Sequence, residues 1–170
     1  MNNMIKNNIL QRLTSVFGLM ALLTCTLLAT SAIAGSQSPQ KNANRLVGLF
    51  ESQVTATNCQ GVVIKTFEAY EMFHLGGTLT STDNQLFGGS GPGFGTWRYN
   101  GGGSYSAPFQ IFTFNTTDGT NSGEAKITRD IQLAPDGNSY TSEGIAQILD
   151  VNGNLLFSFC VSEIATRVVD

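Results

Sequence analysis

Apolar and polar residues alternate in short runs from Leu46 onward. This is the pattern of β-strands with one buried face, because successive side chains of a strand point to opposite faces. Between the runs lie pairs that tolerate positive φ, as tight hairpin turns require: Asp118-Gly119, Asp136-Gly137 and Asn152-Gly153. The pattern predicts eight strands, at 46–57, 63–73, 77–82, 94–99, 104–114, 122–133, 138–149 and 155–168.

Eight sequential antiparallel strands predict an all-β domain, a small closed up-and-down β-barrel. A two-sheet β-sandwich is the alternative fold. Residues 66–73 also fit a helical spacing, so one short helix is an alternative there. The glycine-rich stretch 88–95 has no nucleotide-binding motif, and we interpret it as a mobile loop at the barrel mouth.

The first 34 residues have the three parts of a secretory signal peptide. Lys6 and Arg12 precede an apolar run at 16–29, and Ala32-Ile33-Ala34 offers a small-x-small cleavage site. A run of about 14 apolar residues is shorter than the roughly 20 that span a bilayer, so we expect cleavage and no membrane span afterwards. The expected product is exported, either periplasmic or extracellular. It has a flexible polar leader at 35–45 and one barrel domain at 46–170.

Cleavage would remove Cys25 and leave Cys59 and Cys160. Two cysteines in an oxidising compartment predict one disulfide. In a closed barrel this bond would join the first and last strands. It would enclose a loop of about 100 residues, for which chain entropy gives roughly 4–5 kcal/mol of stabilisation.

Charge and motif content narrow the possible partners. Without Lys6 and Arg12 the chain keeps seven basic and all twelve acidic residues, which argues against a nucleic-acid partner. His74 is the sole histidine, so we expect no structural metal site, and no cofactor motif is present. Nothing in the sequence indicates an oligomeric state.

Three charged residues fall in the apolar phase of predicted strands. Glu71 lies among Phe67, Ala69, Phe73 and Leu75, whereas Arg129 lies among Ala125, Ile127, Ile131 and Leu133. Glu163 belongs to the phase of Phe157, Phe159, Val161 and Ala165. An unpaired buried charge costs several kcal/mol, so we expect Arg129 to face Glu71 or Glu163 inside the barrel. This could be a structural ion pair, or it could be a ligand site together with the inward-facing Trp97 and Tyr99.

Two sets of short motifs resemble known barrels. Gly48-Leu49-Phe50 with the late Arg167 resembles the barrel-closing pair of the calycin (lipocalin-like) proteins, with Phe in place of their Trp. The segments 73–79 and 93–97 resemble uncharacterised secreted bacterial proteins, and the layout is similar to allene oxide cyclase-like barrels. The resemblance implies an eight-stranded barrel with a central cavity. It carries over no catalytic residue.

Three functions are compatible with these features. The first is a barrel that binds a small apolar or amphipathic ligand, with Arg129 orienting its polar end. The second is a structural or interaction protein of the cell envelope with a filled core. The third is a cofactor-free isomerase or cyclase, with Glu71 or Glu163 as acid or base and Arg129 stabilising negative charge. The sequence offers no catalytic motif, so it favours the first two functions over the enzyme.

Overall fold

A computed structural model describes residues 39–85 and 89–169 of the chain. Within them a short α-helix, α1 (Pro39–Ala43), and a 3-10 turn (Asn44–Leu46) precede the strands. The chain then forms ten β-strands: β1 (Gly48–Thr57), β2 (Val63–Phe73), β3 (Thr78–Asp83), β4 (Ser90–Thr96), β5 (Arg98–Gly101), β6 (Ser104–Ser106), β7 (Phe109–Phe114), β8 (Asn121–Leu133), β9 (Ser139–Leu149) and β10 (Leu155–Arg167).

Eight of these strands close into an antiparallel barrel. They are hydrogen-bonded in the order β8-β7-β4-β3-β2-β1-β10-β9, and β9 pairs back onto β8. The predicted closed barrel is confirmed, and the sandwich alternative is wrong. Strands β5 and β6 form an additional hairpin that joins the barrel through the pairing of β6 with β8. The predicted strands 94–99 and 104–114 are therefore each divided in two, at Trp97 and at Ala107-Pro108.

The structure corrects two local predictions. Residues 66–73 belong to β2, so no helix forms there. Ser90–Thr96 is strand β4, so the part of the glycine-rich stretch from 90 to 95 is not a loop. The glycines are needed for packing, because a Cβ at Gly95 would lie 2.1 Å from the carbonyl oxygen of Pro108 and 2.5 Å from Cβ of Phe109. Gly88 lies outside the described residues.

Residues 39–46 cover one end of the barrel, although the sequence assigned 35–45 to a leader without regular structure. Leu46 is fully buried in the core. The Tyr105 hydroxyl donates a hydrogen bond to the carbonyl of Asn42 at 2.9 Å. The remaining residues 35–38, and the predicted signal peptide 1–34, lie outside the described residues.

Arg167 connects several segments at the end of the barrel that residues 39–46 cover. Its guanidinium lies 4.4 Å from the centre of the Phe50 ring and donates hydrogen bonds to the carbonyls of Gly137 (2.9 Å), Val47 (2.7 Å) and Arg45 (2.7 Å). Gly48 has φ +136°, and a Cβ there would lie 2.3 Å from Nη1 of Arg167. The contact thus needs glycine at the start of β1.

A disulfide joins Cys59 to Cys160, with the Cα atoms 5.0 Å apart. Cys59 follows the end of β1, and Cys160 lies in β10 opposite Thr57. The predicted disulfide across the seam of the first and last strands is confirmed. No helix in the described part of the chain is long and apolar enough to cross a membrane.

Removal of the disulfide should lower the free energy of unfolding by about 2–5 kcal/mol, because the unfolded chain regains the entropy of a long loop. Urea denaturation of the oxidised protein, with and without dithiothreitol, measures this loss. A variant with Cys59→Ser and Cys160→Ser should match the reduced protein and should not respond to dithiothreitol. Equal stability of the oxidised and reduced proteins would contradict the expectation.

Candidate functional site

Aromatic side chains fill the half of the barrel next to Arg167. The Phe50 ring centre lies 5.8 Å from that of Phe73 and 5.1 Å from that of Tyr140, and the Trp97 ring centre lies 5.9 Å from that of Tyr105. All five are buried. We call this the closed half.

The other half of the barrel holds a cavity of about 470 Å³. Three residues of its wall, Ile64, Leu156 and Phe157, are more than half exposed, so the cavity reaches solvent on their side. Its deeper wall is largely apolar and includes Val54, Ala69, Phe109, Ile111, Ala125, Ile127, Ala146, Ile148, Phe159 and Val161. Small-molecule sites have this size and character.

A buried ionic cluster separates the cavity from the closed half. Nη1 and Nη2 of Arg129 each lie 2.8 Å from an oxygen of Glu71, which makes a bidentate pair. Nη1 also donates a hydrogen bond to Oε2 of Glu163, and Nε donates to the carbonyl of Ala107 at 3.4 Å. The exposed fractions of Glu71, Arg129 and Glu163 are 1%, 4% and 5%. The predicted pairing of Arg129 with a carboxylate is confirmed for both candidates.

Two side chains of β9 complete the cluster. The Tyr140 hydroxyl donates to Oε2 of Glu71, and the Ser142 hydroxyl donates to Oε2 of Glu163 at 2.8 Å. Neither Tyr140 nor Ser142 was predicted from the sequence to belong to the site. Their alternate positions in a strand are the signal that would have found them, because they share the inward phase of β9 with Ala146.

The register of the strands places these groups side by side. Glu163 of β10 is paired with Ser142 of β9, and Arg129 of β8 is paired with Gly144. A Cβ at Gly144 would lie 2.7 Å from Cβ of Arg129 and 2.3 Å from the carbonyl oxygen of Thr128. Glycine at this position therefore leaves room for the Arg129 backbone and side chain beside β9.

Burial and neighbouring charges set the protonation of the cluster. Burial raises the pKa of Glu163, repulsion by Glu71 adds to this, and attraction by Arg129 only partly opposes it. Burial alone would lower the pKa of Arg129, but attraction by Glu163 and Glu71 is stronger and the net shift is upward. Burial and Glu71 raise the pKa of Tyr140, so it stays a hydroxyl donor. With both carboxyls ionised the cluster has one excess negative charge.

The predicted site residues divide into two groups. Glu71 and Glu163 line the cavity, and Arg129 lies behind them. Trp97 and Tyr99 are not among the residues that line it. The strand is broken between β4 and β5, and both rings pack on Tyr105.

His74 lies at the end of β2, exposed, with Nε2 3.3 Å from Oγ1 of Thr80. It is not among the residues that line the cavity. No group of three or more His, Cys, Asp or Glu residues in the described ranges is placed to hold a metal ion. A scan against protein-family models and a search of the curated proteins both find no match to this chain.

Removal of the guanidinium should be costly, because it leaves two carboxyls buried without their partner. We expect Arg129→Met to lower the free energy of unfolding by about 3–5 kcal/mol, measured by urea denaturation. The matched control is Arg98→Met, since Arg98 is exposed on β5; it should change the stability by at most about 0.5 kcal/mol. Similar losses in the two variants would contradict a central role for Arg129.

The raised pKa of Glu163 predicts a pH dependence of stability with a definite sign. Between its ordinary pKa of 4.5 and the raised pKa, the folded protein holds this proton while the unfolded chain releases it. The contribution of Glu163 is therefore complete below about pH 4.5 and is lost as pH rises through the raised pKa. Wild type should lose stability relative to Glu163→Gln by up to about 1.4 kcal/mol per pH unit in that window.

Urea denaturation at several pH values between acid and neutral measures the difference between the two proteins. Glu143→Gln is the control, because Glu143 is an exposed carboxylate on the same strand as Ser142. Its difference from wild type should not follow this trend. A wild type that gains stability over Glu163→Gln as pH rises would show that Arg129 outweighs burial.

Proposed function

We propose that this protein is an exported, lipocalin-like barrel that binds a small apolar or amphipathic ligand in its interior. The observation that carries the proposal is the cavity of about 470 Å³, which has apolar walls and a polar floor at Glu71 and Glu163. Apolar surface gains about 0.8 kcal/mol for each methylene transferred from water. The carboxylates would fix the orientation of a bound molecule, as the few polar groups of such pockets do.

Export is supported by two independent features. The first 34 residues carry the charge, the apolar run and the cleavage pattern of a signal peptide. The disulfide between Cys59 and Cys160 suits an oxidising compartment, such as the periplasm or the medium.

Kinship with the calycin group is part of the proposal. It is supported by the contact of Arg167 with Phe50 and by the close approach of Arg167 to Gly48. These are the residues on which the resemblance in sequence depends. A fold of this kind is used for several functions, so the ligand must be inferred from the cavity itself.

A cofactor-free isomerase or cyclase is the second candidate. It is favoured by Glu163, a carboxyl with a raised pKa that lines a cavity of substrate size. Arg129 does not fit the role expected of it in such an enzyme, because its donors already bind Glu71, Glu163 and Ala107. The filled-core alternative describes the closed half but gives no account of the cavity.

A bulky side chain that fills the cavity should weaken the binding of a small apolar ligand. Ala146 is buried and lines the cavity on β9. We expect Ala146→Phe to weaken binding of the fluorescent probe N-phenylnaphthylamine at least about tenfold, a loss of about 1.4 kcal/mol. Gln147→Phe is the matched control, because it adds the same ring to the neighbouring exposed position, and it should bind the probe as wild type does.

Circular dichroism and thermal unfolding check that the variants fold, since overpacking alone costs about 1–3 kcal/mol. Ile111→Trp, on β7, is a second filling variant. Native mass spectrometry of protein purified from the periplasm or medium should show a co-purifying small molecule. A wild type that binds no probe and carries no molecule would overturn the proposal. Chemical conversion of a bound molecule, followed by mass spectrometry, would favour the enzyme.

A further inference from the structure

The floor of the cavity presents an open carboxylate oxygen. Both oxygens of Glu71 are engaged, Oε1 by Arg129 and Oε2 by Arg129 and Tyr140. Oε2 of Glu163 accepts from Arg129 and Ser142, whereas its Oε1 has no hydrogen-bond partner among the described residues. In residues 39–85 and 89–169, every side-chain nitrogen or oxygen that is fully buried has a hydrogen-bond partner. Oε1 of Glu163 therefore reaches open space. Glu163 also borders a groove on the outer face of the barrel, but its side chain shares the inward phase of β10 with Val161, and both residues line the cavity.

Arg129 is engaged within the cluster and does not line the cavity. Its Nη1 binds Glu71 and Glu163, its Nη2 binds Glu71, and its Nε binds the carbonyl of Ala107. The Phe109 ring centre lies 4.8 Å from the guanidinium carbon, and Arg129 is not among the residues that line the cavity. An anionic head group would thus meet carboxylates at the floor and would find no available cation there.

The charged residues that line the cavity also disfavour an anionic head group. The lining includes the carboxylates of Glu71, Asp83 and Glu163. Of the described lining residues only Lys65 is basic; it is exposed, and its ammonium lies 4.9 Å from the centre of the Phe67 ring. Negative charge is therefore concentrated where the ligand's polar end would lie. Each of these carboxylates accepts hydrogen bonds when ionised.

We propose that the cavity selects amphipathic molecules whose head group donates hydrogen bonds, and protonated alkyl amines above others. The head would donate to Oε1 of Glu163, and the apolar tail would lie along the wall towards the mouth. With Glu163 ionised, an ammonium also offsets the excess negative charge of the cluster formed by Arg129, Glu71 and Glu163, which a neutral hydroxyl cannot do. This inference depends on the proposed function, because it names the class of ligand for that same cavity.

Three probes with the same tail test the head group. Dodecylamine, dodecanol and dodecanoate, each below its micelle concentration, compete with N-phenylnaphthylamine for wild-type protein at neutral pH. A hydrogen bond between charged groups is stronger than one between neutral groups, so dodecylamine should bind at least about tenfold more tightly than dodecanoate. Dodecanol should lie between them.

Glu163→Gln removes the charge and keeps the shape. It should still bind the fluorescent probe, but it should lose about tenfold in affinity for dodecylamine, with a much smaller change for dodecanol. Glu143→Gln removes a carboxylate from the exposed face of β9 and controls for general attraction of cations to the protein; it should keep the preference. If Glu163→Gln does not fold, the order of the three probes on wild type decides, because only their head groups differ.

The binding measurements distinguish a wrong ligand class from the absence of any ligand site. Equal or tighter binding of dodecanoate, or an unchanged preference in Glu163→Gln, would overturn the amine specificity while leaving a ligand-binding barrel. The absence of any binding by all probes would overturn both.

Discussion

The burial of one guanidinium is the constraint on which the interior of this barrel depends. A charged side chain inside a protein is tolerated only when its hydrogen bonds and its charge are both matched. Arg129 on β8 is matched by Glu71 on β2 and Glu163 on β10, and β9 contributes Tyr140 and Ser142. Groups from four strands must therefore meet at one depth. A shift of one residue in any of these strands would turn its polar group outward.

This cluster also explains why the barrel has two unlike halves. On one side the rings of Phe50, Phe73 and Tyr140 pack closely, and Arg167 covers that end. On the other side the walls carry smaller or more widely spaced side chains, including Ala69, Ala125 and Ala146, and a cavity results. The cluster lies between them and provides the cavity with a polar floor that is attached to rigid strands.

The sequence predicted the fold well because strand alternation and turn residues are local signals. Strand phase also identified Glu71, Arg129 and Glu163, since a charge in an apolar phase needs a partner. It could not show that Arg129 binds both carboxylates and is withdrawn from the cavity, because that depends on the register between distant strands. The same limit applies to Trp97 and Tyr99: alternation places them inward, but only the break between β4 and β5 determines which half they occupy. The first part of β4, residues 90–93, was missed because its glycines resemble a loop, although Gly93 is needed to admit Phe109.

The pairing of β1 with β10 has a consequence for how the chain reaches this structure. The two cysteines at that seam are separated by 101 positions, so the first and last strands can pair only after almost all of the domain has been synthesised. Closing so long a loop costs conformational entropy before the contacts of the seam repay it. Neighbouring hairpins can form earlier, because their turns are short. We therefore expect the seam to be the last part of the wall to join, and oxidation of the cysteines to mark a completed barrel.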